Sequence, residues 1–153
     1  MEVGALLAGY GRSLGLPDLA PDGQGVCRLL FDGDLTVDLE PMSGSDWLHV
    51  YSDLAGLPSP DHALVYRELM EAHLFGRATG PAYLGCDSGV GRMFLVMTLE
   101  TAGLDPARFS GLMDRFVEQA RFWRAKLDRI DQPGELPDQA DAPDPAGAMM
   151  IRG

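Results

Sequence analysis

The chain has 153 residues, of which 46% are hydrophobic and 23% charged, and its formal net charge is −11. This length supports one compact hydrophobic core and is too short for two ordinary domains. The negative charge repels phosphate, so nucleic acid and anionic membranes are poor candidate partners, whereas basic or amphipathic protein segments suit it. Residues 1–16 lack a signal-peptide pattern, and no run reaches the roughly 18 apolar residues that cross a bilayer. We expect an intracellular protein without membrane insertion.

The two cysteines, Cys27 and Cys86, each lie in an apolar run that is typical of a strand. Two alternatives remain open: two reduced, buried thiols, which we favour, or one disulfide. The histidines have no metal-ligand spacing with the cysteines; they are His49, His62 and His73. We therefore expect no metal and no other cofactor.

Apolar residues near the N-terminus recur at three- and four-residue steps, which predicts a helix over residues 2–14. This stripe consists of Val3, Leu6, Leu7, Tyr10 and Leu14. Strand-like runs follow over residues 26–31, 35–40 and 47–54. Asp32-Gly33-Asp34 separates the first two runs, and Asp-Gly between apolar runs is a strong signal for a β-hairpin.

A second helix is predicted to open at Ser59-Pro60-Asp61, with Ser59 as its cap, and to stop near Gly76. Two further strands are predicted over residues 82–86 and 92–99. Asp105-Pro106 opens a third helix that carries a long apolar stripe up to Leu127.

The predicted order is therefore α-β-β-β-α-β-β-α. Short turns between successive strands indicate antiparallel pairing, so we predict an α+β fold with a twisted antiparallel sheet flanked by helices. We expect a single domain over residues 1–130. Residues 131–153 are acidic and rich in proline, which is typical of a flexible tail.

No motif in the chain predicts catalysis. Gly89-Val90-Gly91 lacks the third glycine and the following helix of a dinucleotide loop, so a hairpin turn is the better interpretation. The carboxylates of Asp32, Asp34, Asp38 and Glu40 lie in a turn and on a polar strand face, where solvation is a better explanation than acid catalysis. We therefore predict a binding protein and not an enzyme.

Two segments have more apolar surface than a small monomer needs. Trp47, His49 and Tyr51 share one face of the third predicted strand; a covered face and a binding surface are equally compatible with them. Apolar residues spread over a wide arc of the second helix, around residues 64–74. Such an arc packs either in a deep core or on a second subunit, and in a chain this short we favour the subunit.

The ordered combination of segments resembles the class I type III secretion chaperones, the Tir-chaperone family. The most telling stretch is ELMEAHL at residues 68–74, followed by TGPAYLG at 79–85 and GRMFL at 91–95. It is similar to the family pattern LL-x-A-N-L, G-x-x-L-G and G-x-L-x-L, with His73 where the pattern usually has asparagine. The opening residues 6–16 and the closing residues 116–127 are also typical, so the resemblance covers residues 1 to about 130.

The resemblance implies a homodimer in the bacterial cytoplasm that holds the N-terminal segment of a secreted effector in a partly extended, export-competent form. It implies that the second helix builds the two-fold interface, for which the candidates are Leu64, Val65, Leu69, Met70, His73 and Leu74. It also implies that the first helix and the strands supply hydrophobic grooves for the effector. The candidates there are Leu7, Leu14, Leu29, Phe31, Trp47, His49 and Tyr51.

Two further partners follow from the same resemblance. The secretion ATPase is one candidate. Some family members sequester an anti-activator instead and couple export to transcription, so a regulatory adaptor is the alternative function. The sequence alone does not separate the two functions.

Overall fold

The computed structural model describes residues 3–59 and 61–130. Its helices are α1 (Val3–Ser13), α2 (Ala63–His73) and α3 (Pro106–Ile130), and a short 3-10 turn, Leu74–Gly76, follows α2. Its strands are β1 (Cys27–Phe31), β2 (Leu35–Pro41), β3 (Trp47–Gly56), β4 (Tyr83–Asp87) and β5 (Arg92–Glu100). This order confirms the predicted α+β fold. The predicted tail, residues 131–153, lies outside the described residues.

The five strands form one antiparallel sheet in the order β1-β2-β3-β5-β4. β3 lies in the middle between β2 and β5, and β1 and β4 form the two edges. The hairpin turn between β1 and β2 is the one predicted: Asp32 and Gly33 both have positive φ, and the Asp34 N–H donates to the Phe31 carbonyl. The two positive φ values and this hydrogen bond are features of a type I′ turn, and the pairing of Phe31 with Leu35 leaves Asp34 as an extra residue in the loop.

One face of the sheet is covered by α3, and α1 packs beside α3. Alternate residues of the strands point into this layer and are almost fully buried, including Leu35, Leu48 and Leu95. Tyr10 of α1 meets Phe109 of α3 edge to face, with ring centroids 5.2 Å apart. Burial raises the pKa of Tyr10 to about 12, with a smaller contribution from the charge of Asp114.

The start of the second helix differs from the prediction. α2 begins at Ala63, and its cap, His62, makes no side-chain hydrogen bond to the helix. Ser59 lies in a preceding turn, where its carbonyl accepts the His62 N–H, so it is not the cap. The equivalent prediction for α3 is confirmed, since Asp105 Oδ1 accepts the Arg108 N–H at 2.9 Å.

Gly11 is required where α1 meets the chain that leaves it. A Cβ atom at this position would lie 2.5 Å from both the Leu16 carbonyl oxygen and the Leu19 Cβ. We expect Gly11→Ala to lower the free energy of unfolding in urea by about 1–3 kcal/mol. Gly9→Ala is the matched control: its Cβ would meet only a flexible arginine at 3.8 Å, so a gain of about 0.5–1 kcal/mol is expected. Equal losses for both variants would contradict this packing.

Both cysteines are free thiols, and they differ in environment. Cys27 is buried, as predicted, but Cys86 is exposed because it lies on the edge strand β4. Burial raises the pKa of the Cys27 thiol, and the charge of Asp22 adds to that effect.

This difference predicts selective alkylation. In the native protein at neutral pH, iodoacetamide should modify Cys86 and spare Cys27, because the thiolate is the reactive form and Cys27 is both covered and harder to ionise. Peptide mass mapping reads the result, and both thiols should react in urea. Equal native modification of the two thiols would show that the Cys27 side chain is not buried as described.

Candidate binding surfaces

Two of the residues predicted to bind an effector belong to the core. Leu7 on α1 and Leu29 on β1 are both buried among core side chains. A partner cannot contact them while this core is intact. The assignment of Leu7 and Leu29 to an effector surface is therefore corrected, and both are packing residues.

The outer edge of β1 is open. Within the described residues, the backbone groups of residues 28–30 make no hydrogen bond on the side away from β2. Leu30, which the sequence analysis did not single out, is 63% exposed on this strand. Leu14 and Leu16 are exposed in the connection that leads from α1 to β1, whereas Phe31 is half-buried against the core. The β1 edge itself therefore offers backbone hydrogen-bonding groups and the apolar side chain of Leu30.

The edge formed by β4 is partly occupied. His73 at the end of α2 accepts the Leu84 N–H through Nε2 at 2.9 Å, and the Thr79 carbonyl accepts the Ala82 N–H. This contact fixes the tautomer of His73, because a ring nitrogen that accepts carries no proton and Nδ1 is then the donor. The imidazole therefore joins α2 to the sheet edge, and it leaves β1 as the more accessible edge.

Trp47, His49 and Tyr51 lie on the sheet face that points away from α1 and α3. His49 Nδ1 lies 3.0 Å from Thr98 Oγ1, which in turn lies 3.4 Å from the Tyr83 hydroxyl. Tyr51 stands opposite Asp38 on one side and Val96 on the other. The structure thus brings these three predicted residues together on one face, which we call the outward face.

Asp38 differs from the predicted solvated carboxylates. It is buried on the outward face, and Arg28 binds it through two hydrogen bonds of 2.8 Å each. Burial of the phenol raises the pKa of Tyr51 to about 12, and the charges of Asp38 and Glu40 add to this effect. The face is therefore an organised, negatively charged surface around an aromatic centre.

The exposed side of α2 carries the residues predicted for a dimer interface. Met70 is 71% exposed, Leu64 and Leu74 are also exposed, and Val65 and His73 are half-buried. Leu69 is different, because it is buried in the core of the single chain. The prediction that Leu69 lies in the dimer interface is therefore corrected: Leu69 packs in the core of the single chain.

Phe75 was missed by the sequence analysis. It is 90% exposed directly after α2, and its backbone has φ 57°, a conformation that bulky residues rarely adopt. Residues held in sparsely populated backbone conformations are concentrated at functional sites. The only signal in the sequence is the pair Phe75-Gly76 at the helix end, and such a pair does not indicate the direction of the ring.

The other candidate chemistry is not assembled in the described part of the chain. Residues 3–59 and 61–130 contain no group of three or more His, Cys, Asp or Glu side chains placed to hold a metal. Asp32 and Asp34 in the exposed hairpin turn pair with Arg121 and Arg124 of α3. Among these residues no helix is long and apolar enough to cross a membrane.

Comparison with known proteins places this fold in a family. Residues 5–124 match the model of the Tir chaperone protein (CesT) family. The transcriptional anti-antiactivator ExsC of Pseudomonas aeruginosa is 26% identical over 82% of this chain and 86% of its own length.

Solved structures agree with the family match. A chain of the ExsC–ExsE complex superposes with a TM-score of 0.65 at 25% identity, over 82% of this chain and 96% of that one. The HopA1–SchA chaperone–effector complex contains a chain with a TM-score of 0.65 at 22% identity, over 79% of this chain and 91% of that one, which shows the fold alone. Because the family model spans most of α1, the whole sheet and most of α3, this chain belongs to the Tir chaperone (CesT) family.

Proposed function

We propose that this chain is a type III secretion chaperone of the bacterial cytoplasm that binds the N-terminal segment of one or more effectors. In this function it keeps that segment partly unfolded, stable and competent for export. The observation that carries the proposal is the open edge of β1, with the exposed side chain of Leu30 on it, in a chain of the CesT family. HopA1–SchA, a chaperone–effector complex of the same fold, supports it.

The β1 edge suits an extended segment. An added strand pairs its backbone with β1, and its alternate side chains contact Leu30 on one face. Backbone hydrogen bonds do not depend on the side chains of the added strand, so one edge can serve several effectors. A segment that is unfolded when free loses conformational entropy on binding, and many modest contacts over a long surface offset that cost.

The homodimer is part of the same proposal. Met70, Leu74 and Phe75 form an exposed apolar strip at the end of α2. Arg67 and Glu71 lie on the same exposed side of the helix, 3.8 Å apart. In an antiparallel pair of α2 helices around a two-fold axis, each Arg67 faces the Glu71 of the other copy, so the surface is self-complementary in charge.

In the proposed function the chain acts by binding alone, without catalysis and without a cofactor. Its negative charge favours basic protein partners over nucleic acid. The secretion ATPase is a candidate later partner, because a chaperone–effector complex has to meet the export machinery.

A regulatory adaptor is the second candidate function. It is favoured by the 26% identity to ExsC, which is described as a transcriptional anti-antiactivator. In that function the bound partner is an anti-activator of transcription. An effector and an anti-activator that both use the β1 edge would compete, so the two functions differ in the partner and share the surface.

Affinity capture tests the proposal. The tagged chain is expressed in its own bacterium under secretion conditions, and each retained secretion substrate is re-tested without its N-terminal segment. We expect retention to require that segment and to be lost in Leu30→Asp. Val90→Asp is the matched control, because Val90 is also 63% exposed but lies in the turn between β4 and β5.

The identity of the captured protein separates the two candidate functions. A secreted effector supports the chaperone, and a transcriptional anti-activator supports the adaptor. Retention that is unaffected by Leu30→Asp would contradict the use of the β1 edge.

A further inference from the structure

The outward face of the sheet is a second candidate surface, which adjoins the β1 edge at Leu30, because Leu30 and Arg28 share this face of β1. In the described ranges no helix packs on it, since α1 and α3 both lie on the opposite face. Its middle is apolar and aromatic, with Tyr51, Phe94 and Val96 in adjacent rows and Trp47 at one end. Trp47 is 41% exposed. A small domain rarely places this much aromatic surface on a face that only water covers.

This face carries an excess of negative charge. Its strands present five carboxylates and two guanidinium groups, read from the alternation of residues along the sheet. Both guanidinium groups are already paired, Arg28 with Asp38 and Arg92 with Asp53. Glu40 and Glu100 take part in no ion pair among the described residues.

These two carboxylates, which make no ion pair among the described residues, stand near the exposed tryptophan in the strand register. Glu100 stands directly opposite Trp47 in the register of β3 and β5, and Glu40 stands opposite His49 on the other side of β3. An indole ring attracts a lysine or arginine over its face, and carboxylates within a few ångströms strengthen that attraction. This end of the face is therefore suited to a basic side chain.

The same charges disfavour the other occupants. A second copy would bring its own outward face with the same negative excess. Its α2 would bring Arg67 already beside Glu71, and Glu68 already paired with Lys126. Nucleic acid and acidic proteins are repelled outright.

We infer that the outward face binds a cationic amphipathic segment of the effector. Its apolar side chains cover Tyr51, Phe94 and Val96, and a lysine or arginine lies over Trp47 between Glu40 and Glu100. The inference rests on the proposed function and adds the chemistry of the partner: beyond the stretch that pairs with β1, the effector carries a basic amphipathic stretch.

Fluorescence of the full chain tests the inference directly. The chain has two tryptophans, and Trp123 is already buried, so a shift of the emission maximum reports on Trp47. The probe is a tryptophan-free amphipathic peptide of roughly 18 residues, about five helical turns, with a leucine stripe flanked by lysine and arginine. A second peptide replaces every basic residue with glutamate. We expect the basic peptide to shift the emission to the blue and the acidic peptide to leave it unchanged.

Matched variants separate a specific site from general attraction to an acidic protein. The double variant Glu40→Gln with Glu100→Gln should lower the affinity for the basic peptide by about tenfold. Asp18→Asn with Glu118→Gln removes the same charge far from the face and should change affinity by less than about twofold. Absence of a blue shift, or equal weakening by both pairs, would overturn the inference. Effector capture through β1 is measured separately, so the proposed function can stand where this inference fails.

Discussion

Replacing Trp123 with alanine is expected to lower the free energy of unfolding by about 4 kcal/mol, close to the whole stability of many small domains. Trp123 is among the largest fully buried side chains, at 1% exposure. Its Nε1–H donates to the Ala78 carbonyl at 2.8 Å, which ties α3 to the loop between α2 and β4. The substitution removes this hydrogen bond and leaves a large cavity. Urea unfolding followed by circular dichroism measures the effect.

Phe122 provides the control for this prediction. It is the preceding residue on the same helix, also aromatic, but 51% exposed. Phe122→Ala should cost less than about 1 kcal/mol, since little apolar surface leaves the core. If Trp123→Ala lowers the free energy of unfolding no more than Phe122→Ala does, α3 does not pack on the core as described.

Met70→Asp is expected to convert the proposed dimer into a folded monomer. Met70 is 71% exposed in the single chain, so an aspartate there is solvated in the monomer and leaves the fold intact. In the dimer the same carboxylate is buried without a partner, which costs several kcal/mol. Light scattering coupled to size exclusion should give a mass of two chains for the unchanged protein and of one chain for the variant.

Two comparisons make this result specific. Leu30→Asp places the same charge on the exposed edge of β1 and should leave the dimer mass unchanged. Leu69→Asp is unsuitable as an interface test, because Leu69 is buried in the monomer and its replacement should unfold the chain. A dimer that persists in Met70→Asp would contradict the assignment of the interface to this side of α2.

The sequence predicts the elements well where local patterns decide the structure. The three- and four-residue spacing of Val3, Leu6, Leu7 and Tyr10 depends only on helix geometry, and all four are buried. The turn at Asp32-Gly33 follows from the few backbone conformations that join two strands tightly. Such signals need no information on distant parts of the chain.

The binding surfaces are less predictable, because they depend on which apolar residues the tertiary fold covers. Leu7 and Leu29 are as apolar as Leu14 and Leu30, yet α3 and the sheet bury the first two and leave the others exposed. Phe75 follows the same rule, since the backbone at the end of α2 turns its ring into solvent. Sequence periodicity identifies an apolar face but not the element that covers it.

Proteolytic protection tests the central claim most directly. The captured effector is treated with protease alone and with an equal amount of this protein, and the surviving fragments are identified by mass. The proposed function predicts that the N-terminal segment is cleaved rapidly when free and is protected in the complex, with protection lost in Leu30→Asp. An N-terminal segment that is degraded at the same rate with and without this protein would contradict the claim that the chain is an effector-binding chaperone.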